Sequence, residues 1–162
     1  MIALFYALLA VGSVAPRVQI PDQNGVLRAF PEEKQPILLI IEDQEGGKQN
    51  RPLKERLGRI NSDPANRAKC DVIAIADLSR WDWWPARKYA LADVQKTATE
   101  KKTTIYLDWK GELKRAWGVQ KGKNHLLLLM PDGKVRFAAE GPVSGADEQN
   151  LINILVELGV RP

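Results

Sequence analysis

The sequence predicts an α/β protein in which helices flank a central mixed β-sheet. Short apolar segments rich in β-branched residues at positions 37–41 and 72–76 are typical of buried strands. The segment between them has a helical period, so the three elements form a βαβ unit with parallel strands. A further apolar run at residues 126–130, with a turn and a returning strand at 134–139, adds an antiparallel hairpin. Parallel and antiparallel pairs together predict a mixed sheet.

The helix between the first two strands begins near residue 50. Pro52 suits a first helical turn, and Asn50 or Arg51 is the expected cap. Its apolar face, at positions i, i+4 and i+7, consists of Leu53, Leu57 and Ile60. A second long helix is expected from about Trp84 or Pro85 to Thr99. The residues expected to point inward from it are Ala86, Tyr89, Ala90 and Val94.

The closing part of the chain has the most specific local signals. Pro131, Asp132 and Gly133 form a tight turn between the last two strands, because proline presets φ and glycine accepts a positive φ. Ser144 is the expected cap of the last helix, with Asp147 three residues later. The apolar stripe expected on this helix consists of Leu151, Ile152, Leu155, Val156 and Leu158, and Gly159 suits its C-cap.

The order of these motifs resembles a known superfamily. A strand ending at Asp108, a glycine, a short helix, "WGV", a strand, "PDGKV", a strand and a helix are similar to the closing half of thioredoxin-like proteins of the peroxiredoxin and TlpA type. Residues 11–16 and 20–25 resemble their opening hairpin. "NRPLKERL", "RAWGV" and "DGKVRFAAEG" are most similar to the YtfJ-like periplasmic branch. The resemblance covers residues 12–158 and implies a thioredoxin-like fold with an N-terminal β-hairpin extension.

Length and charge limit the classes of function. A chain of 162 residues is long enough for one buried core, so we expect one domain at residues 13–162. The 24 basic and 20 acidic residues are interspersed, which is typical of a solvated surface and disfavours a nucleic acid partner.

Residues 1–12 resemble a secretory signal. The run from Ile2 to Val11 is apolar and free of charge, and small residues follow it. It is shorter than the roughly 20 residues of a stable membrane span. We therefore expect a periplasmic or secreted protein. No Lys or Arg precedes the run, so an extra hydrophobic helix or strand kept on the domain is the alternative.

The resemblance implies where thiol chemistry would lie. In these proteins the reactive cysteine follows the first core strand at the start of the next helix, where helix-end N–H groups stabilise a thiolate. Residues 42–50 contain no Cys, Ser or Thr, but they include the carboxylates Glu42, Asp43 and Glu45. The family's cis-proline is expected within residues 120–125, which contain no proline. The sequence therefore argues against disulfide exchange.

Cys70 is the only cysteine, so no intramolecular disulfide can form. It precedes the strand at 72–76, which places it at the opposite end of the sheet from the loop at 42–50. We expect a buried, unreactive thiol. The alternatives are a thiol peroxidase or oxidoreductase that uses Cys70, and intermolecular pairing of this thiol.

Asn124 and His125 begin the strand that follows "WGV", and the fold would bring them close to the acidic loop. Histidine with Glu42, Asp43 and Glu45 could bind a divalent metal or act as a general acid and base. A hydrogen-bonded histidine at a strand end is the simpler interpretation, and we expect no metal and no cofactor. The candidate binding residues in this region are Glu42, Asp43, Glu45, Asn124 and His125.

Trp81, Trp83 and Trp84 form a dense aromatic cluster before the second long helix. Neighbouring residues point in different directions, so one surface cannot bury all three. An exposed tryptophan provides a large area for binding a peptide, a sugar or a protein. The alternative is that the cluster packs the helix onto the sheet. Taken together, the sequence predicts a non-catalytic binding or adapter protein with a protein or peptide partner.

Overall fold

The computed structural model describes residues 8–162 and has a central five-stranded sheet. A separate two-stranded hairpin precedes the sheet. In chain order the strands are β1 (Val18–Pro21), β2 (Leu27–Phe30), β3 (Ile37–Glu42), β4 (Asp71–Asp77), β5 (Ile105–Asp108), β6 (His125–Leu129) and β7 (Val135–Glu140). The order within the sheet is β5-β4-β3-β6-β7.

The sheet is mixed, as the sequence predicts. Strand β3 pairs in parallel with β4 and antiparallel with β6, so that Leu39 lies opposite Ile73 on one side and Leu127 on the other. Strand β6 is buried along its whole length, which explains why its sequence is apolar without alternation. Gly133 has a φ of +83° in the turn to β7. The hairpin of β1 and β2 confirms the predicted N-terminal extension.

Besides two short 3-10 helices at Gly46–Lys48 and Ser79–Trp81, five α-helices are present in the described part of the chain. They are α1 (Arg51–Ser62), α2 (Pro64–Arg67), α3 (Ala86–Glu100), α4 (Glu112–Trp117) and α5 (Gly145–Glu157). The expected caps of α1 and α5 are both found. Asn50 precedes α1 with a left-handed φ of 54°, and the Ser144 hydroxyl accepts a hydrogen bond from the Asp147 N–H.

Two clusters of buried side chains hold the sheet. The first packs the β1–β2 hairpin and α4 on one face through Phe30 and Trp117, whose indole N–H donates to the Pro16 carbonyl at 2.8 Å. The second packs α1 and α5 on Leu38 and Leu128. In the described part of the chain no residue of α3 belongs to either cluster. Helix α3 is therefore peripheral.

Two expected core residues are exposed. Tyr89, expected to point inward from α3, is 70% exposed, whereas Ala86 is buried and Ala90 and Val94 are half-buried. Neither core cluster covers α3 in the described residues, and the side chains of this helix that are buried are those of Ala86 and Ala98. Val156 on α5 is 51% exposed because it lies about 100° around the helix from Leu155. The buried stripe of α5 instead includes Ile154, which the sequence analysis omitted.

The N-terminal prediction falls partly outside the described residues. Residues 1–7 are not described, so a signal-like segment at residues 1–12 stays a prediction. From residue 8 onward, the Leu9 N–H donates to the Trp117 carbonyl at 3.1 Å and the Gly12 N–H donates to the Val135 carbonyl at 2.8 Å. Among the residues described, no helix has both the length and the apolar character that a membrane crossing requires.

Candidate functional site

Two loops meet at the position where the resemblance implies thiol chemistry. Residues 42–50 follow β3, and residues 120–125 precede β6. Gly46 contacts the second loop through backbone atoms alone: a Cβ placed on it would lie 2.3 Å from the Lys123 carbonyl oxygen and 2.9 Å from the Asn124 nitrogen. A side chain therefore has no space at Gly46. The cis peptide bonds of the described residues precede Pro31 and Pro85, so the loop before β6 is trans, as expected.

The acidic side chains of this region are engaged by neighbouring groups. Asp43 accepts hydrogen bonds from the N–H groups of Gly46 and Gly122, both at 2.8 Å, and so joins the two loops. Glu42 accepts from the Lys54 ammonium at 2.8 Å and from the Asn124 side-chain amide at 2.6 Å.

Glu45 lies apart from this arrangement. Its exposed carboxylate pairs with the Lys48 ammonium at 3.0 Å, and it makes no contact with His125. The structure thus brings together Glu42, Asp43 and Asn124 but leaves Glu45 outside.

Side-chain amides connect the two loops to a third segment after β7. The Asn50 amide donates to the Asn124 side-chain oxygen at 2.8 Å and to the Gly141 carbonyl at 2.9 Å. Its own oxygen accepts from the Val143 N–H at 2.8 Å. Gln49 adds a bond from its amide to the Gly122 carbonyl at 3.1 Å. The sequence predicts only a capping role for Asn50, and no local pattern in it points to Gln49.

His125 is fully buried beside this network. Its Nε2 accepts a hydrogen bond from the Gln120 N–H at 3.1 Å and lies 3.7 Å from a Glu140 carboxylate oxygen. Within the described residues, Nδ1 has no hydrogen-bond partner. Burial lowers the pKa of His125, and the Glu140 charge opposes that effect. The imidazole is therefore neutral and has no contact with solvent through which a substrate could reach it.

The metal alternative lacks a set of ligands. Across residues 8–162, no group of three His, Cys, Asp or Glu side chains is arranged to hold an ion. The Nε2 of His125 is already occupied by a backbone N–H, and the Glu140 carboxylate pairs with the Lys123 ammonium. The donors expected from the sequence therefore do not converge.

Cys70 lies at the start of β4, at the far end of the sheet from the two loops. The parallel register pairs Ile37 with Asp71 and Glu42 with Ala76, so the expected separation is confirmed. Burial, with a contribution from the Asp71 charge, raises the pKa of Cys70 to about 12. The thiol is consequently buried and protonated at neutral pH.

The three clustered tryptophans are all exposed. Trp84 is 86% exposed, Trp83 58% and Trp81 39%. Tyr89, in the first turn of α3, is also exposed, although the sequence predicts that it points into the core. These four residues, Trp81, Trp83, Trp84 and Tyr89, are called the aromatic patch below.

The start of α3 is held by other side chains. The Arg87 guanidinium lies 4.3 Å from the centre of the buried Trp109 ring and pairs with the Asp82 carboxylate. Trp83 contributes one hydrogen bond, from its indole N–H to the Arg80 carbonyl at 3.2 Å. Arg87 therefore anchors the helix, and the rings of the aromatic patch face solvent.

The similarity of this amino-acid sequence to known proteins is limited to a short segment. No family model matches the chain. An uncharacterized protein of Haemophilus influenzae is 35% identical over 51 residues, and this match spans 32% of the chain and 28% of that protein.

Solved structures share the fold over nearly the whole chain. The thioredoxin domain of a thiol-disulfide oxidoreductase from Bacteroides vulgatus superposes with a TM-score of 0.65 at 19% identity, covering 91% of this chain and 99% of that one. Peroxidoxin BcpB from Mycobacterium tuberculosis gives 0.61 at 17% identity, covering 95% and 99%. The exposed lipoprotein thioredoxin of Streptococcus pneumoniae gives 0.61 at 13% identity, covering 88% and 99%. The chain therefore has a thioredoxin-like fold.

Proposed function

We propose that this chain is a thioredoxin-like protein without thiol chemistry that acts by binding a protein or peptide partner. The observation that carries the proposal is the contact of Gly46 with Lys123 and Asn124. A reactive side chain at position 46, in the loop between β3 and α1, would need space and access to a substrate, and this contact leaves room for neither at that position. The nearby carboxylates are engaged within the fold.

The single thiol does not replace the lost site. A thiolate is the reactive form of cysteine, and a pKa near 12 keeps Cys70 almost entirely protonated at neutral pH. Its side chain is also buried, so a disulfide or a peroxide could not reach the sulfur without local unfolding.

The aromatic patch is the surface we assign to the partner. Tryptophan and tyrosine are the residues that most often dominate the binding energy of protein interfaces. An isolated exposed apolar residue is ordinary, but several large rings on adjoining positions are typical of an interaction site. Arg87 already holds the start of α3, so the rings are not needed to attach that helix.

We further propose that the protein works outside the cytoplasm, as a member of the YtfJ-like periplasmic branch. The apolar run at residues 2–11 and the motifs "NRPLKERL" and "DGKVRFAAEG" support this assignment. The exposed lipoprotein thioredoxin of S. pneumoniae is a protein of similar fold that is described as exposed. N-terminal mass measurement of the protein recovered from a periplasmic extract tests it.

The first experiment tests the absence of thiol chemistry. Insulin reduction and peroxide consumption are measured for the wild type and for Cys70→Ser. We expect neither protein to exceed the uncatalysed rate. Turnover by the wild type that disappears in Cys70→Ser would favour the thiol peroxidase or oxidoreductase alternative.

The second experiment tests the aromatic patch. Immobilised wild type and Trp84→Ala are compared in capture from a periplasmic extract, with mass spectrometry of the retained proteins. Val26→Ala is the matched control, because Val26 is a largely exposed apolar residue away from the patch. We expect Trp84→Ala to lose proteins that Val26→Ala retains. Identical capture by all three proteins would contradict the assignment.

A further inference from the structure

A large groove lies between α1 and the end of α3. Its volume is about 1190 Å³, with the residues of α1 along one side and residues 98–104 along the other. Small-molecule sites commonly have volumes of about 300 to 1,000 Å³. The volume of this groove is larger, so a segment of polypeptide has room in it. It is not the aromatic patch, which lies at the opposite end of α3.

The floor of the groove is apolar. Ile40 and Ala74 are paired across β3 and β4, and Val72 lies two positions before Ala74, so the three side chains share one face of the sheet. All three are half-buried rather than buried. Ile40 and Val72 pack in part against the cluster that contains the apolar side chains of α1, and their remaining surface lines the groove together with Ala74.

The rim of the groove has an excess of positive charge. Its acids Glu42 and Asp71 are already paired, with the Lys54 ammonium at 2.8 Å and the Arg28 guanidinium at 3.5 Å. In contrast, the exposed cations Arg51, Lys101 and Lys102 have no ion-pair partner within residues 8–162. Arg67 has none there either, but its guanidinium donates to the carbonyls of Asn61 and Ser62. Glu55 is the unpaired acid of the rim. The remaining cations lie on both walls, since Arg51 is on α1 and the two lysines follow α3.

We propose that this groove binds an acidic amphipathic segment of a partner protein. Apolar side chains of the segment cover Ile40, Val72 and Ala74, and its carboxylates pair with Arg51, Lys101 and Lys102. A segment with alternating apolar and acidic residues satisfies both features, because its two sets of side chains reach the floor and the rim together. This second binding surface does not depend on the aromatic patch.

The test uses a defined probe. A fluorescein-labelled peptide of about 12 residues, in which leucine and glutamate alternate, is titrated with the full chain by fluorescence anisotropy. We expect the triple variant Arg51→Glu/Lys101→Glu/Lys102→Glu to bind the peptide at least about tenfold more weakly. The matched control is Lys34→Glu/Lys114→Glu/Lys121→Glu, which makes the same change in net charge at exposed lysines outside the groove. This control should keep the wild-type affinity within about twofold.

Two altered peptides distinguish the contribution of the floor to binding from that of the rim. We expect no binding when lysine replaces glutamate, and none when serine replaces leucine. Equal binding of the leucine-free peptide, or an equal loss in both triple variants, would overturn the proposal in favour of nonspecific attraction between charges.

Ala74→Asn is a second variant that leaves the rim intact. It places a polar amide on the floor and should weaken binding severalfold, with folding verified by circular dichroism. An unchanged affinity would contradict the assigned floor. Trp84→Ala should bind the probe with the wild-type affinity. The experiment on the groove can therefore contradict the groove proposal without affecting the proposal for the aromatic patch.

Discussion

The two loops at residues 42–50 and 120–125 and the aromatic patch differ in what their side chains contact. In the loops, Glu42, Asp43 and Asn124 are bonded to one another or to the backbone, and Gly46 leaves no gap. In the aromatic patch, large rings face solvent although the helix beneath them is anchored by Arg87. The difference teaches that the polar side chains of the two loops are used for contacts within the fold, whereas the aromatic rings stay accessible to solvent.

Among variants of the two compared regions, the largest effect is expected from a substitution at Gly46. Gly46→Ala places a methyl group against the Lys123 carbonyl, so one loop must move and break the bonds that Asp43 and Asn124 make. We expect the free energy of unfolding to fall by about 3 kcal/mol, measured by urea denaturation. Gly58→Ala is the control, since Gly58 is in α1 with nothing within 4 Å of an added Cβ. That variant should gain about 0.5 to 1 kcal/mol. Equal stability of the two variants would contradict the contact.

A smaller loss is expected from Asn124→Ala. The change removes the hydrogen bond to Glu42 and leaves the Asn50 amide with one partner fewer, in a half-buried setting. We expect a loss of about 2 kcal/mol in the free energy of unfolding. Gln149→Ala removes an exposed side-chain bond to Asn153 and should change stability by less than about 0.5 kcal/mol. An equal change in the free energy of unfolding of the two variants would show that the hydrogen bonds of Asn124 do not stabilise the loops.

The buried histidine gives a dependence on pH. Because the pKa of His125 is lowered from its ordinary value of 6.5, the unfolded chain takes up this proton more readily than the folded chain. The contribution of His125 to the free energy of unfolding is therefore fully present above pH 6.5, and it decreases as the pH is lowered below that value. One proton accounts for at most about 1.4 kcal/mol per pH unit. The charged groups facing the ring are Glu140, Lys123 and Asp43.

The measurement is urea denaturation between pH 7 and pH 5, a range that lies above the ordinary carboxyl pKa of about 4. His125→Gln should lose less stability over this range than the wild type. A variant with the same slope as the wild type would show that another group is responsible.

The smallest effect on stability is expected in the aromatic patch. Trp84→Ala should shift the free energy of unfolding by less than about 0.5 kcal/mol, because the ring contacts mainly water. Trp117→Ala is the contrasting variant and should lose about 3 to 5 kcal/mol, because Trp117 is fully buried in the first cluster. Thermal unfolding measures both. A large loss in Trp84→Ala would assign that ring to the core and remove it from the binding surface.

Local patterns predicted most of the fold. The apolar run of β6, the turn at Gly133 and the cap at Ser144 each depend on residues close in sequence, and the structure has all three. Tyr89 was placed wrongly because a helical period shows which residues share a face but not whether anything covers that face. Helix α3 has such a face and lacks a core cluster to cover it.

The candidate site was less predictable for a different reason. The absence of a cysteine in residues 42–50 can be read from the sequence, but the closure of the site cannot. Closure depends on contacts between residues more than 70 positions apart, such as Gly46 with Lys123 and Asn50 with Gly141. No local period or turn signal encodes these pairs.

The peripheral position of α3 has a mechanical consequence. A helix of 15 residues is about 22 Å long, and this one has tryptophans before its first turn and the groove wall beside its last. Neither buried cluster contains one of its residues in the described chain, but the helix is held at both ends, because Ala86 and Ala98 are buried and Arg87 contacts the Trp109 ring. Helix α3 therefore acts as a spacer between the two surfaces, and a single partner would have to reach along its length to contact both.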